Sequence, residues 1–206
     1  MINRNYIFLI LACYLTACTT IPKHDEFISS FSIEKHYGDV VDISLHTGSV
    51  IVGAENTMYA AGGVFVSLPN SGSGNPRWAY GRTDQEDTIH DLRDMLVKNS
   101  AFKKVNIIEE TQEKESSYLI KITYHKTATC CDKWWYDLDV SVEIIKDGLK
   151  VYSTRNKFES NTYSEALGST EAVTNALTFA RHKAKEKVIA MAIKGLSESN
   201  SSNTAN

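Results

Sequence analysis

The chain has 206 residues, a formal net charge of −3 and 23% charged residues. This length suits one domain of ordinary size, and the mildly acidic balance argues against a general nucleic-acid-binding protein, which needs a basic surface. After residue 18 no segment is apolar enough to span a membrane, so we expect the rest of the chain to fold outside the bilayer.

The first residues have the parts of an export signal. Arg4 gives a positive start, and residues 6–15 form an uncharged, mostly apolar run of about ten residues. A signal core has about 7–15 such residues, whereas a membrane-spanning helix needs about 20. Small residues precede Cys18, as signal cleavage requires. We therefore expect residues 1–17 to be a signal peptide that is removed.

The segment Leu15-Thr16-Ala17-Cys18 resembles the lipobox of bacterial lipoproteins. The resemblance implies that the thiol of Cys18 receives a diacylglyceryl group, that cleavage occurs just before it, and that the new amino terminus is acylated. Several acyl chains give firm anchoring in the lipid bilayer. Thr19, rather than Asp, follows, which in Gram-negative lipoproteins implies the outer membrane with the domain facing the periplasm. An ordinary signal with a coincidental cysteine is the alternative, and Cys13 lacks the Leu-x-Ala context.

Four regions are expected along the chain. Residues 1–17 are the signal peptide and residues 18–35 a lipidated amino terminus and tether. Residues 36–196 form a single periplasmic domain, and the Ser- and Asn-rich residues 197–206 a disordered tail. Within the tether, apolar side chains are able to dock on the domain: Phe27, Ile28, Phe31 and Ile33.

The first half of the domain contains strands and one helix. Val41, Ile43 and Leu45 alternate with polar residues, which predicts a strand that Gly48 turns into a second one at residues 50–52. Residues 64–68 form another predicted strand. A capping box at residues 83–86 predicts the start of an amphipathic helix that ends at Asn99-Ser100.

The second half is expected to contain four strands and a long helix. After a strand at residues 104–109, residues 118–125 and 134–144 alternate between apolar and polar side chains. Asp147-Gly148 predicts a hairpin whose second strand is residues 149–158. A final helix begins at Ser169 or Thr170, carries one apolar stripe, and has Gly195 as its expected end.

These elements predict an α+β domain, with a mostly antiparallel sheet and two amphipathic helices packed on one face. Over residues 40–196 the order of elements resembles small α/β domains of envelope lipoproteins: the curli-assembly secretion family, the lipopolysaccharide-assembly lipoprotein and activators of penicillin-binding proteins. The resemblance implies a role in binding or assembly.

The most probable chemical site by composition is residues 125–136. Cys130 and Cys131 are each other's only available partner in an oxidising periplasm, and a disulfide between neighbours would be strained and reducible. A stiffened turn, an intermolecular bridge and a metal site with His125 and Asp132 are alternatives, although the absence of CxxC spacing disfavours metal.

Aromatic residues in the same stretch point to a partner-binding patch of His125, Trp134 and Trp135. The two tryptophans lie on opposite faces of the predicted strand, and by phase Trp135 is expected to be exposed. Exposed tryptophans are enriched at interfaces. A cross-strand aromatic packing pair is the alternative.

Two further groups of charged residues have a structural and a functional interpretation. On the first helix, His90, Asp91 and Asp94 form either a solvated face or an acid/base set. The last helix is basic, for dipole complementation and solubility or for contact with an anionic envelope polymer. Its cations are Arg181, Lys183, Lys185 and Lys187.

No Gly-x-Ser-x-Gly, His-Glu-x-x-His or P-loop motif occurs, and no cofactor is expected. The main hypothesis is a non-enzymatic accessory or assembly factor that binds an envelope protein or an anionic envelope polymer. The alternative is an envelope redox factor or other enzyme that uses Cys130 and Cys131.

Overall fold

A five-stranded sheet with helices on one face makes up most of the described chain. The computed structural model describes residues 23–33, 36–52, 58–61, 64–67, 80–109, 116–129, 135–160 and 170–201. The elements follow in the order α1 (His24–Ser29), β1 (Gly38–Val52), β2 (Met58–Ala61), β3 (Val64–Ser67), α2 (Arg82–Lys98), β4 (Phe102–Ile108), β5 (Tyr118–Thr129), β6 (Asp137–Lys146), β7 (Leu149–Glu159) and α3 (Thr170–Ser201).

The sheet is mixed, with the strand order β4-β1-β5-β6-β7. β5, β6 and β7 form the predicted antiparallel meander. β1 is parallel to both of its neighbours, β4 and β5. The predicted α+β class is therefore confirmed, whereas the mostly antiparallel sheet is found only in the meander.

The core lies between the sheet and the two long helices. Alternate residues of β6 are buried as their pattern predicted: Leu138, Val140, Val142 and Ile144. α3 buries the predicted stripe, including Leu177, Ala180, Ala184, Val188 and Ala192. Alanines at these positions let the helix approach the sheet closely.

The N-terminal cap of α2 lies two residues before the predicted one, which was residue 83. This cap is Gly81, and the Asp84 carboxylate accepts a hydrogen bond from the Gly81 N–H at 3.2 Å. The predicted capping box at residues 83–86 is therefore wrong, because Asp84 already satisfies the free amide of the first turn. The predicted end is confirmed, since Ser100 leaves the helix with φ of 54°.

α3 continues past its predicted end. The helix reaches Ser201, so Gly195 is not its terminus and residues 197–201 are helical instead of part of a disordered tail. A Cβ atom on Gly195 would lie 2.7 Å from Cδ1 of Tyr152 on β7. Gly195 therefore allows α3 to pack closely on β7. Such packing favours glycine, as the end of a helix does.

The two long helices lie on the same face and run in the same direction. Arg181 Nε lies 3.1 Å from Asp84 Oδ1, and Lys185 Nζ lies 2.6 Å from Asp91 Oδ2. Later residues of one helix thus meet later residues of the other. The predicted placement of both helices on one side of the sheet is confirmed.

α1 is docked on these helices, within the region predicted to be a tether. Phe27 and Ile28 are buried, and the Phe27 ring lies 4.7 Å from the ring of His182 on α3. Lys98, at the end of α2, donates a hydrogen bond to Ser29 Oγ at 2.8 Å. Docking begins soon after residue 23, so most of the predicted tether belongs to the domain.

β1 is one continuous strand, and the predicted turn at Gly48 is wrong. Opposite Gly48, β5 has a bulge against β6 at His125, between the pairs Tyr124↔Val140 and Lys126↔Asp139. A Cβ on Gly48 would lie 2.6 Å from the carbonyl oxygens of Tyr124 and His125. The glycine is present because the backbones approach closely, not because the chain turns.

The β6–β7 hairpin was predicted from the sequence, whereas the β2–β3 hairpin was predicted only in part. Asp147 and Gly148 both have positive φ, 50° and 80°, as a type I′ turn requires, and the predicted hairpin is confirmed. β2 was not predicted, but it pairs with the predicted β3 in a separate two-stranded sheet.

None of the described helices combines the length and apolar composition that crossing a membrane requires.

A buried carboxylate ties β4 to β5 across the strand between them. Asp42 lies in β1, on the face opposite the helices, and is 0% exposed. It accepts hydrogen bonds from Asn106 Nδ2 at 2.9 Å and from the Ser116 N–H at 3.2 Å. Asn106 belongs to β4 and Ser116 precedes β5, so Asp42 holds both ends of the connection between these strands.

Candidate functional site

Three connections between elements begin or end at the same end of the sheet. Val52 pairs with Thr129, Ala128 with Asp137, and Asp137 with Glu159. The connections over residues 53–79, 130–134 and 161–169 therefore leave or return at this end, here called the connection end. Connections carry most binding residues in folded domains, so the described residues around this end are the first candidates.

Three buried tyrosines lie beneath the connection end. The ring of Tyr80 lies 5.9 Å from that of Tyr124 and 5.6 Å from that of Tyr136. Burial raises the pKa of Tyr124 to about 12 and raises the pKa of Tyr80 and Tyr136 as well. The phenols therefore stay protonated at neutral pH and do not act as bases.

Hydrogen bonds join this cluster to α2 and β1. The Tyr80 and Thr88 hydroxyls lie 2.6 Å apart. Gln85 accepts a hydrogen bond from the Thr47 hydroxyl at 2.8 Å and donates one to the Tyr80 carbonyl oxygen. These contacts fix the start of α2 against the middle of β1, and they give the connection end a rigid base.

Asp84 and Arg181 form an ion pair beside the tyrosines. Burial raises the pKa of Asp84, while Arg181 and the Gly81 N–H act in the opposite direction. A carboxylate whose pKa is raised is less favourably solvated in the folded protein than in the unfolded chain. The pair fixes the two helices relative to each other at some cost to stability.

A substitution of Tyr136 tests whether the three tyrosines only stabilise the fold. Its hydroxyl is buried and makes no hydrogen bond with any described residue. Tyr136→Phe is therefore expected to be neutral or to raise the free energy of unfolding by up to about 1 kcal/mol, because no bond is lost. Tyr80→Phe, which removes the bond to Thr88, is the control and should cost about 1 kcal/mol. Urea denaturation of both variants measures this, and equal losses would show that the Tyr136 hydroxyl has a partner, such as a buried water.

An open groove runs along β1 next to these residues. It has a volume of about 830 Å³ and lies between α2, β1 and the end of β4. Apolar side chains in its lining are Leu45, Ile89, Ile107 and Ile108, and polar ones are His46, Thr47, Arg82, Glu86, His90 and Glu109. The volume lies in the range of about 300–1,000 Å³ that is typical of binding sites, but six of the ten described lining residues are polar, so the groove is more polar than most such sites.

The predicted partner-binding patch is only partly described. His125 is the bulged residue of β5, and its Nε2 lies 2.9 Å from Ser141 Oγ. Trp135 is partly buried and packs against the core, so the prediction that it is exposed is wrong. It precedes β6, which begins at Asp137, and the alternation of that strand does not govern it. Trp134 lies outside the described residues.

A smaller cleft of about 510 Å³ adjoins His125 at the ends of β6 and β7. One of its carboxylates, that of Asp139, is compensated within the domain. Arg155 donates two hydrogen bonds of 2.8 Å to the carboxylate of Asp139, which lowers the pKa of Asp139. Since this carboxylate is already paired, the cleft offers no strong charge to a ligand through it.

The suggested acid/base set on α2 does not come together. Asp91 is buried against Lys185 of α3, Asp94 pairs with Arg93 at 2.6 Å, and His90 lines the groove. The three side chains therefore serve different contacts, which fits neither an acid/base set nor a uniformly solvated face.

The cations of α3 have partners within the domain. In addition to Arg181 and Lys185, Lys183 pairs with Glu186 at 2.6 Å, and Lys187 donates to the carbonyl oxygen of Glu159. Three of these four cations are paired with carboxylates, which leaves little free positive charge for an anionic polymer.

The predicted covalent sites lie outside the described residues. These are Cys18, Cys130 and Cys131, together with Asp132. Among the side chains that are described, no group of three or more His, Cys, Asp and Glu could hold a metal ion. The groove was not anticipated from the sequence, because its lining comes from three separate elements.

No protein-family model matches the chain, and no curated protein matches it either. Among solved structures, the chain is similar to the crystal structure of protein XCC0632 from Xanthomonas campestris, of the family DUF330. The identity is 10%, the TM-score is 0.44, and the match covers 82% of this chain and 88% of that one.

Proposed function

We propose that this protein is an outer-membrane lipoprotein whose periplasmic domain binds another component of the cell envelope, as an accessory or assembly factor. One observation carries the proposal. The lipobox ends at Cys18, and α1 begins at His24, docked on the domain. Only five residues, 19–23, lie between the lipid site and the folded domain. Fully extended, they reach about 18 Å.

A tether of this length restricts where the domain works. The ring of Phe27 packs edge-on against Phe31 at 5.3 Å and against His182 at 4.7 Å. Burial lowers the pKa of His182, so the ring stays neutral at neutral pH and packs as an aromatic group. α1 is thus fixed to the helix layer, and the domain would act at the membrane surface rather than across the periplasm.

A protein partner suits the described surface better than an anionic polymer. Arg181, Lys183 and Lys185 are all paired with acidic side chains of the domain. The groove along β1, by contrast, is lined by four apolar side chains and six hydrogen-bonding ones. A protein segment offers partners for both kinds of group.

The lipid anchor is tested by replacing each of the two amino-terminal cysteines in turn by serine. Cys18→Ser is expected to abolish labelled-palmitate incorporation and to release the protein from the membrane fraction, because no other lipid site is predicted. Cys13→Ser is the matched control and should leave both properties unchanged. Membrane retention and labelling of the Cys18→Ser protein would refute the assigned lipid site.

Binding is tested by crosslinking the lipidated full-length protein in cells, followed by pulldown and mass spectrometry. We expect to recover one envelope protein reproducibly. The variant with Cys130→Ser and Cys131→Ser should capture the same protein. Recovery of only background proteins would contradict the binding role. A loss of capture in the double-serine variant would favour the redox alternative instead.

A further inference from the structure

We propose that the short tether holds one side of the domain, the side of the helix layer that points away from the sheet, against the bilayer that carries the acyl chains of Cys18. The inference rests on the proposed function, because it needs the lipid anchor, and it adds an orientation. This side is called the outer helix face. Its members are Asp87, Val97 and Lys98 of α2 with His182 and Glu186 of α3.

The outer helix face follows from the helical repeat. Side chains two residues apart in an α-helix point about 200° apart. Ala184 of α3 and Leu96 of α2 are 0% exposed and belong to the core between the helices and the sheet. His182 precedes Ala184 by two residues, and Lys98 follows Leu96 by two. Both side chains therefore point away from the sheet.

α1 lies on the outer helix face. Phe27 contacts the ring of His182 at 4.7 Å, and Ser29 Oγ accepts a hydrogen bond from Lys98 at 2.8 Å. The long helices thus lie between α1 and the sheet. His182 is near the middle of α3, so the tether that ends at Lys23 reaches the domain over the helix layer and not at an end of the sheet.

The reach of the tether excludes a bilayer against the opposite side of the domain. This side is the sheet face without helices, called the far face. A helix with its side chains is about 10–12 Å across, and a packed sheet adds about 10 Å. The far face is thus about 20 Å from α1 in a straight line through the core and farther around the surface. Residues 19–23 reach at most about 18 Å.

The charges near α1 agree with a position set by the anchor. Lys23 and Lys98 are exposed and positive, whereas Glu26 and Asp87 are exposed and negative. Charges of both signs neither exclude the surface from phospholipid phosphates nor bind it to anionic lipids, as a polybasic surface would. Val97 is 49% exposed and adds an apolar contact. We therefore expect the same orientation on bilayers without anionic lipid.

The far face supplies matched control positions on β7. Glu143 is next to the buried Ile144 in β6, so its side chain points to the far face. Ser153 pairs with Glu143, and Lys157 pairs with Asp139 on the same face. Ser153 and Lys157 are exposed, as are the outer-helix-face positions Asp87 and Val97.

The test measures which side of the lipidated full-length protein approaches the lipid headgroups. In a background of Cys130→Ser and Cys131→Ser, a fluorophore is attached to Asp87→Cys or Val97→Cys, and to the controls Ser153→Cys or Lys157→Cys. The proteins are placed in phosphatidylcholine vesicles with or without a headgroup-spin-labelled phospholipid. We expect the spin label to cause a loss of fluorescence at positions 87 and 97 and none at positions 153 and 157.

A longer tether tests the cause of the orientation. Ten glycine and serine residues inserted after Thr20 add about 33–36 Å of reach. The difference between the outer helix face and the far face should then disappear. Two positions on each face, with circular dichroism, guard against a label that disturbs folding.

Four outcomes would overturn the orientation. They are equal quenching on both faces, quenching on the far face alone, no quenching at any position, and a contrast that the longer tether leaves unchanged. Quenching at only one of positions 87 and 97 would place an end of the domain at the membrane and would also contradict it. If the protein sediments with the vesicles in these cases, the anchor of the proposed function stands. If it does not sediment with them, the proposed function fails together with the orientation.

Discussion

Asp42→Ala is expected to lower the free energy of unfolding by about 3 kcal/mol. The carboxylate is fully buried and accepts hydrogen bonds from Asn106 and from the backbone of Ser116. Each buried donor left without an acceptor costs about 1–3 kcal/mol, and this substitution leaves two. It also removes the cost of burying a carboxylate, which offsets part of that loss. Urea denaturation of the purified protein measures the change.

Asp39→Ala is the matched control in the same strand. Asp39 is 72% exposed and pairs with Lys103 at 2.8 Å, so its loss should change stability by less than about 1 kcal/mol. Asp42→Asn, which keeps one oxygen acceptor, should lie between the two. Faster amide exchange in β4 and at the start of β5 is expected for Asp42→Ala alone. Similar stability of the two alanine variants would show that Asp42 does not tie these strands together.

Gly48→Ala is expected to destabilise the protein by about 2–3 kcal/mol. The added Cβ would lie 2.6 Å from two backbone oxygens of β5, at Tyr124 and His125. A backbone cannot move aside as a flexible side chain does, so the strands must separate at the bulge, and overpacking of this kind costs about 1–3 kcal/mol. Thermal unfolding and the chemical shifts of His125 report the effect.

Gly38→Ala separates this effect from the general consequence of replacing a glycine in β1. A Cβ at Gly38 would meet Phe102 and Tyr118 at 3.6 Å, which is ordinary van der Waals contact. The substitution should therefore be neutral or stabilise slightly, because alanine restricts the unfolded chain. If Gly48→Ala is tolerated as well as Gly38→Ala, the close approach of β1 to the bulge is not required.

The candidate site shows where reasoning from the sequence stops. Alternation correctly assigned Tyr136 to the core side, yet it gave Trp135 the wrong exposure because the strand begins only at Asp137. Tyr80 had no periodic context, and its place beside Tyr124 depends on α2 crossing β1. The groove lies where β4 ends at Ile108, opposite Ser44, and no local pattern records that end.

Local physical chemistry determined the elements of this protein. The period-two pattern over residues 137–144 and the two positive φ angles available to Asp147-Gly148 require no distant contacts, and both predictions are confirmed there. The predicted strand starts too early, since β6 begins only at Asp137. The same is true of the apolar stripe of α3, since the spacing of its side chains is a property of the helix itself.

The tertiary structure alone decided which strands are neighbours. A strand pattern states which face is buried and does not state which strand lies beside it. α2 runs from the connection end back to the start of β4, so β4 enters the sheet parallel to β1. This pairing buries Asp42 between β4 and β5, and the pairing of β1 with β5 makes Gly48 a point of contact instead of a turn. Each outcome depends on residues far apart in the sequence, which is why the sequence by itself predicted the α+β class and not the site.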